Sequence, residues 1–188
     1  MTITRTWQGL VFIASSLDGF IARLDGDIGW LTNPPADPDH TAAGSIGATQ
    51  PPGYEDFMST IDHLVMGRGT YEKILTFGSW PYDKSTIVLS THLHDGDDER
   101  ITVARSIEET AELLDTRGAS SVYVDGGQVI QSFLEHDLID VITLARAPVL
   151  LGQGLPLFGR LSRDVRLSLT GTSTSDTGMT SSRYLVRR

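Results

Sequence analysis

The chain has 188 residues, of which 39% are hydrophobic, so it is long enough to bury the core of a single domain over residues 1–188. Its formal net charge of −9 at pH 7 and its pI near 4.9 argue against nucleic acid or an anionic membrane as a partner. The absence of cysteine excludes disulfides, thiolate catalysis and cysteine-based metal sites.

The first predicted element is a strand over Gly9–Ser15, which is apolar at its centre and therefore expected inside a sheet. A turn over residues 17–19 leads to a short continuation of this strand over Phe20–Arg23. Asn33–Gly53 contains five of the eight prolines and predicts a long irregular loop, a kind of segment that is usually functional or mobile. A short helix is predicted over Tyr54–Ile61.

From residue 63 onward, predicted strands and helices alternate along the chain. The strands are His63–Met66, Thr86–Ser90, Ile101–Ala104, Ser121–Val124, Asp140–Ala147, Val165–Thr172 and Thr180–Val186. The helices are Thr70–Leu75, Ile107–Thr116 and Gln128–His136. Ser106 and Glu109 form a capping box before the second of these helices. The alternation, ending in a hairpin, predicts an α/β fold with a mostly parallel central sheet and an antiparallel C-terminal edge.

The N-terminal sequence MTITRTWQ lacks the basic region and apolar core of a signal peptide, and no apolar run reaches the roughly 20 residues of a membrane span. We therefore expect a cytoplasmic protein. The five histidines have no metal-ligand spacing beyond His92 and His94, which lie beside the acidic sequence DGDD. No metal site is expected.

Two segments share one pattern, an apolar strand followed by glycines and a helix. In HLVMGRGTYEKIL the turn contains Gly67, Arg68 and Gly69, and Thr70 is predicted to be the N-cap of the helix. An arginine between two glycines at a helix start is expected to make few packing contacts, and its guanidinium suits phosphate oxygens. Arg68 is therefore the best candidate for a phosphate contact, a solvated surface charge being the alternative.

The second such segment is VYVDGGQVIQSFL, where Gly126 and Gly127 separate the strand from the helix. Two residues without Cβ atoms let a ligand lie on the backbone, and the amides of Gln128 and Val129 at the helix start favour an anion such as a pyrophosphate. A simple tight turn is the alternative. Neither segment has the G-x-G-x-x-G spacing of the Rossmann fold, which points to another way of binding nucleotides.

Together, MGRGTYEKI, TIVLST and VDGGQVIQSFL resemble the dihydrofolate reductase superfamily, over a region from about Gly9 to the C-terminus. SLDGFIA, residues 16–22, resembles the branch that contains the riboflavin biosynthesis reductase, the RibD C-terminal domain. The resemblance implies a three-layer fold with helices on both faces of the sheet. It also implies an NADPH-dependent reductase, with a homodimer as a weaker expectation.

The resemblance further implies which residues contact NADPH. The nicotinamide would lie near the first strand and the loop after it, and the adenosine 2′-phosphate near the end of the strand that leads into Thr91. That second segment lacks the arginine often found there. The cofactor-binding residues implied in this way are Ala14, Ser16, Leu17, Gly19, Gly67, Arg68, Gly69, Thr70, Ser90, Thr91, Gly126, Gly127, Gln128 and Val129.

The proton donor is harder to assign from the sequence. Folate-reducing relatives use a carboxylate on the helix before the MGR turn, where Glu55 and Asp56 are nearest, although surface acids on a short helix are usually only solvated. Asp18, in the SLDG turn shared with the riboflavin branch, is the alternative and is favoured by a small margin. Trp30 and Phe57 could line a pocket for a flat heterocyclic substrate, or belong to the core.

The implied reaction is hydride transfer to a heterocyclic or ribosylamino-pyrimidine substrate, as in a 5-amino-6-(5-phosphoribosylamino)uracil reductase. The riboflavin branch commonly has a basic residue after SLDG, suited to a substrate phosphate, whereas this chain has Phe20. Dihydrofolate or pterin reduction is therefore an alternative, and a non-catalytic NADP-binding protein is another. Relatives with this motif commonly have a cis Gly-Gly peptide, so the resemblance implies one between Gly126 and Gly127. A methyl at Gly127 would lie where the cofactor should pass, whereas the flanking strand and helix are unchanged. We therefore expect Gly127→Ala to fold but to lose most NADPH binding.

Overall fold

The computed structural model describes residues 5–32, 45–46 and 50–188. Most of the loop predicted over Asn33–Gly53 lies outside the described residues. The described strands are β1 (Gln8–Ser16), β2 (Phe20–Ala22), β3 (Ser45–Ile46), β4 (His63–Gly67), β5 (Ser85–Leu89), β6 (Ile101–Ala104), β7 (Ser121–Asp125), β8 (Val141–Ala147), β9 (Leu155–Pro156), β10 (Arg166–Thr174) and β11 (Thr180–Arg187). The described helices are α1 (Gly29–Thr32), α2 (Tyr54–Ser59), α3 (Arg68–Leu75), α4 (Ile107–Thr116) and α5 (Gly127–Glu135).

The large sheet confirms the predicted topology. Its strand order is β3-β10-β11-β8-β1-β7-β4-β5-β6, and β2 pairs with β9 in a separate small sheet. The strands from β8 through β6 pair in parallel, whereas β11 pairs antiparallel with both β8 and β10. The parallel part brings the carboxyl ends of β1, β4, β5 and β7 to one edge of the sheet.

Helices cover both faces of the sheet, as predicted, and each face has its own apolar core. Along β7, Val122 and Val124 point into the core beneath α4 and α5. Tyr123, between them, points into the core beneath α2 and α3. This alternation follows from the two-residue period of a strand, and it explains why β7 is apolar on both sides.

The predicted N-cap Ser106 is confirmed at α4, but the return hydrogen bond of the predicted capping box comes from the residue before the N-cap. The Ser106 hydroxyl accepts a hydrogen bond from the Glu109 amide, and the Glu109 carboxylate accepts one from the Arg105 amide at 2.6 Å. Thr70, by contrast, is not an N-cap: α3 begins at Arg68 and its N-cap is Gly67, whose backbone is extended. The prediction placed the cap three residues late because Arg68 and Gly69, read as turn residues, already belong to the helix. Among the described residues, no helix is long and apolar enough to cross a membrane.

Candidate active site

A cleft of about 910 Å³ runs along the edge where the parallel strands end. The turn of β4 into α3 and the turn of β7 into α5 both open into it. Most of the residues that the sequence assigned to the cofactor line this cleft: Ala14, Gly67, Arg68, Gly69, Thr70, Ser90, Thr91, Gly126, Gly127, Gln128 and Val129. The remaining three, Ser16, Leu17 and Gly19, lie in the neighbouring turn and are not among its described lining residues.

The start of α3 presents a flexible cation and an uncovered stretch of backbone. The Arg68 side chain is about half exposed and pairs with Glu72 one helical turn later, at 3.0 Å between Nη1 and Oε1. A Cβ added at Gly69 would meet no atom within 4 Å. Gly69 therefore leaves its backbone open toward the cleft, where a bound molecule can approach it closely.

The start of α5 is packed more tightly than the sequence suggested. Gly126 has a φ of +90°, which reverses the chain between β7 and α5. No cis peptide bond occurs among the described residues, so the cis bond expected between Gly126 and Gly127 is wrong. A Cβ at Gly126 would lie 2.4 Å from the Thr70 hydroxyl oxygen, which shows how closely the two glycine turns approach each other.

Gly127 also faces protein rather than open space. A Cβ there would lie 2.7 Å from the Pro156 carbonyl oxygen and 3.2 Å from the Ile21 side chain. The sequence argument placed this methyl in the path of the cofactor and expected Gly127→Ala to fold. The structure changes that expectation, because the methyl would collide with β9 first.

Cations gather at the α3 side of the cleft, although the whole chain is acidic. Arg68, Lys73 and Arg105 are among its described lining residues. The Arg105 guanidinium donates to the Ser90 carbonyl at 2.8 Å and to the Leu93 carbonyl, and it lies 3.6 Å from the Asp95 carboxylate. It thus holds the turn after β5 in place while remaining at the wall of the cleft.

Sequence reasoning missed Arg105. It noted the lack of an arginine after β5, but the arginine comes from the end of the next strand, β6. A basic residue directly after a predicted parallel strand was the signal, since parallel strands end at the same edge of a sheet.

Asp125 ends β7 and lines the wall of the cleft. Burial raises the pKa of its carboxyl to about 6, although the Gly126 amide, which donates to it at 2.8 Å, opposes this shift. A carboxylic acid with such a pKa can carry a proton near neutral pH. The sequence alone had assigned Asp125 no role.

Neutral tyrosine hydroxyls surround Asp125. Burial, followed by the negative charge of Asp125, raises the pKa of both Tyr82 and Tyr123. Tyr82 lines the cleft, whereas Tyr123 is buried and donates to the Phe12 carbonyl at 2.9 Å. Burial also raises the pKa of Tyr54, whose hydroxyl interacts with that of Tyr82. Of these hydroxyls, that of Tyr82 lies at the wall of the cleft.

Asp18, the acid that the sequence favoured, lies outside the described lining of the cleft. Its carboxylate accepts hydrogen bonds from the Ser16 hydroxyl at 2.6 Å and from the amides of Gly152 and Leu151 at 2.7 and 3.1 Å. The Ser16 hydrogen bond, followed by that from Gly152, lowers the pKa of Asp18. This geometry joins the turn after β1 to residues 151–152 and disfavours proton donation by Asp18.

The other sequence candidates also lie away from the cleft. Glu55 and Asp56 are exposed on the first turn of α2. Phe57 packs against Phe12 and Tyr123, with ring centroids 5.1 Å apart in each pair, and so belongs to the core. Trp30 is buried within α1. None of the four is among the described lining residues of the cleft.

The chain is similar to known proteins in both sequence and structure. The family model of the RibD C-terminal domain matches residues 9–181. The uncharacterized protein YwjB of Bacillus subtilis (strain 168) is 35% identical over 170 residues, which cover 87% of this chain and 89% of that protein. These matches extend over almost the whole chain, including both glycine turns.

Among solved structures, a protein of Shewanella sp. PV-4, described as a candidate riboflavin biosynthesis protein, has a TM-score of 0.81 at 33% identity, covering 96% of this chain and 99% of its own. The deaminase and 5-amino-6-(5-phosphoribosylamino)uracil reductase of Thermotoga maritima has a TM-score of 0.65 at 18% identity, covering 97% of this chain and 57% of its own. Dihydrofolate reductase of Enterococcus faecalis complexed with NADP(H) has a TM-score of 0.60 at 16% identity, covering 99% of this chain and 100% of its own. The predicted dihydrofolate reductase-like fold is thereby confirmed.

Proposed function

Because the chain belongs to the RibD C-terminal domain family, we propose that it is an NADPH-dependent reductase acting on a heterocyclic or ribosylamino-pyrimidine substrate. One observation carries the proposal: two glycine turns, each opening a helix, meet in a single large cleft together with a group of cations and a carboxylic acid. The glycine turns and the cations suit the phosphates of a dinucleotide, and the carboxylic acid suits a reaction that needs a proton.

The residues present fit such a cofactor. The first amides of α3 and α5 have no partner within their helices and favour an anion, and Arg68 adds a charge-assisted donor. Gly69 leaves room for a pyrophosphate to approach the backbone. Arg105, with Ser90 and Thr91, would hold the additional phosphate that distinguishes NADPH from NADH.

Asp125 is the carboxylic acid among the described residues that line the cleft. When bound, NADPH supplies a hydride from its reduced nicotinamide ring. Hydride addition to a C=N or C=O group leaves a negative charge on nitrogen or oxygen, and a nearby acid lowers the barrier by donating a proton there. We assign this donation to the Asp125 carboxyl, and orientation of the substrate to the Tyr82 hydroxyl beside it.

One observation keeps pterin-like substrates as a second candidate. Phe20, where the riboflavin branch commonly has a basic residue, pairs with Pro156 in the small sheet. The nearby Arg23 is exposed and lies 3.4 Å from Asp27. The described cleft wall beyond the cations is largely apolar and includes Ile13, Ile21, Ile28 and Leu31. An unphosphorylated flat heterocycle suits that wall.

The proposal is tested in two steps. NADPH is titrated against the protein by nicotinamide fluorescence, and NADPH oxidation is then followed with 5-amino-6-(5-phosphoribosylamino)uracil, dihydrofolate and simpler pterins. Saturable binding with turnover of one substrate supports a reductase. Binding without any turnover supports the non-catalytic alternative, and no binding of NADPH refutes the proposal.

Arg68→Ala is expected to weaken NADPH binding by roughly 1.5–3 kcal/mol, or about 10- to 150-fold, because one charge-assisted contact to phosphate is lost. Glu72→Ala is the matched control, since it removes the partner of Arg68 but leaves the guanidinium available. Fluorescence titration measures both. Equal affinity of the Arg68→Ala and native proteins would remove Arg68 from the site.

Arg105→Gln is expected to reduce the preference for NADPH over NADH by about 10-fold or more. The variant removes the cation assigned to the additional phosphate, and it also removes the hydrogen bonds from Arg105 that hold the turn after β5. Arg117→Gln is the control, since that side chain binds Ser85 and Thr102 away from the cleft. The measurement is the ratio of the two dissociation constants. An unchanged ratio in Arg105→Gln would contradict this assignment.

A further inference from the structure

A second, smaller pocket lies at the opposite end of α5 from the cleft. Its volume is about 180 Å³, roughly that of six water molecules in the liquid. It lies between the end of α5, the segment before β10, and the paired ends of β10 and β11. Its lining residues are Asp137, Arg163, Asp164, Val165, Arg166, Arg187 and Arg188. Four arginines around so small a space are unusual in a chain of net charge −9.

Some of the arginines here are already neutralised. Arg163 lies 2.5 Å from the Asp137 carboxylate, and Arg188 lies 2.8 Å from the Asp140 carboxylate. Arg5 approaches the other Asp140 oxygen, also at 2.8 Å. These pairs leave little of the negative charge of Asp137 and Asp140 for the remaining cations.

Arg166 and Arg187 are different. They are direct cross-strand partners at the paired ends of β10 and β11, so their side chains project from the same face of the sheet. Arg187 donates to the Ser168 hydroxyl at 2.7 Å, and among the described residues neither arginine forms an ion pair with a carboxylate. Asp164 lines the pocket and offsets one charge in part. Like charges directly opposite each other destabilise a sheet, so this arrangement is favourable when an anion lies between them.

We propose that this pocket is an anion site, which binds a phosphate group between the guanidiniums of Arg166 and Arg187. Planar guanidiniums donate paired hydrogen bonds that match phosphate oxygens. A doubly charged anion balances the two cations that have no carboxylate partner. The volume accommodates inorganic phosphate or the phosphate of a small monoester and is much smaller than the cleft proposed for the dinucleotide.

The test compares melting temperatures in chloride and in phosphate at equal ionic strength. In chloride, Arg166→Gln is expected to melt about 1–3 °C above the native protein, because the opposed charges are gone. In phosphate, the native protein is expected to gain stability by mass action, and Arg166→Gln is expected to lose most of that gain. Arg160→Gln is the matched control, since Arg160 is an exposed neighbour outside the pocket.

Calorimetric titration with inorganic phosphate and with ribose 5-phosphate gives the affinities, and the tighter of the two identifies the source of the phosphate group. Arg166→Gln is expected to weaken both by about 10-fold or more, whereas Arg160→Gln, outside the pocket, is expected to leave both unchanged. The proposal is overturned if the native protein does not bind phosphate, or if Arg166→Gln binds it as tightly as the native protein does. Loss in Arg68→Ala instead would place the phosphate in the cleft.

Discussion

Asp125→Asn is expected to lower turnover by about 10²–10⁴-fold, the range typical for loss of a positioned general acid. NADPH affinity should change little, because the phosphate contacts assigned above come from other side chains. The substitution preserves shape, and an Asn side-chain oxygen can still accept the hydrogen bond from the Gly126 amide. Steady-state NADPH oxidation and a fluorescence titration of the same variant separate the two effects.

The matched controls are the other carboxylates that the sequence brought forward. Glu55→Gln and Asp56→Asn alter exposed side chains outside the described cleft lining and are expected to leave turnover nearly unchanged. Asp18→Asn is expected to lower turnover less than Asp125→Asn does, because its effect would come only from a less tightly held turn after β1. If Glu55→Gln or Asp56→Asn abolishes activity while Asp125→Asn does not, a folate-type donor is the correct assignment.

The Asp125 carboxyl also predicts how activity and stability change with pH. As a proton donor with a pKa of about 6, Asp125 is active when protonated, so kcat/KM should fall as the pH rises above about 6. Its folded-state pKa is raised, so the folded state holds the proton more tightly than the unfolded state does. Asp125 therefore lowers stability increasingly as the pH rises from about 4 to 6. Asp125→Asn should remove this part of the pH dependence of Tm, and an unchanged dependence would contradict the assignment.

The second large effect is expected at the glycines, where two similar substitutions should act in opposite ways. Gly127→Ala is expected to destabilise the fold by about 1–3 kcal/mol, and so lower Tm by roughly 3–10 °C, because its Cβ would lie 2.7 Å from the Pro156 carbonyl. The Cβ added by Gly69→Ala would meet no atom within 4 Å, and position 69 lies in a helix, so Tm should be equal to that of the native protein or higher.

NADPH binding should distinguish the two variants further. At Gly69 the added methyl projects into open space beside the cleft, so the affinity of a well-folded variant is expected to fall by about 10-fold or more. Thermal unfolding and fluorescence titration are measured on both proteins. A Gly69→Ala protein that binds NADPH normally would show that the cofactor does not pass against α3.

The sequence by itself determined the fold class, the position of most elements and much of the cleft. Short apolar runs, such as Val122–Val124 in β7, predict buried strands because both faces of a parallel sheet are covered. The glycine turns at residues 67–69 and 126–127 are local features, since a missing Cβ acts on the residue that lacks it. The resemblance to the family depends on the same local segments, and for that reason it was visible without a structure.

Only the tertiary structure decided which polar side chains meet in the cleft. Asp125 and Arg105 come from the ends of different strands, and they reach one cleft because β7, β4, β5 and β6 are neighbours in the sheet. The hydrogen bonds that hold the Asp18 carboxylate could not be foreseen, because its partners Leu151 and Gly152 are more than 130 residues away along the chain. The opposition of Arg166 and Arg187 likewise depends on strand register. Such contacts join distant segments, so neither spacing nor periodicity can reveal them, whereas the order and register of the strands fix them directly.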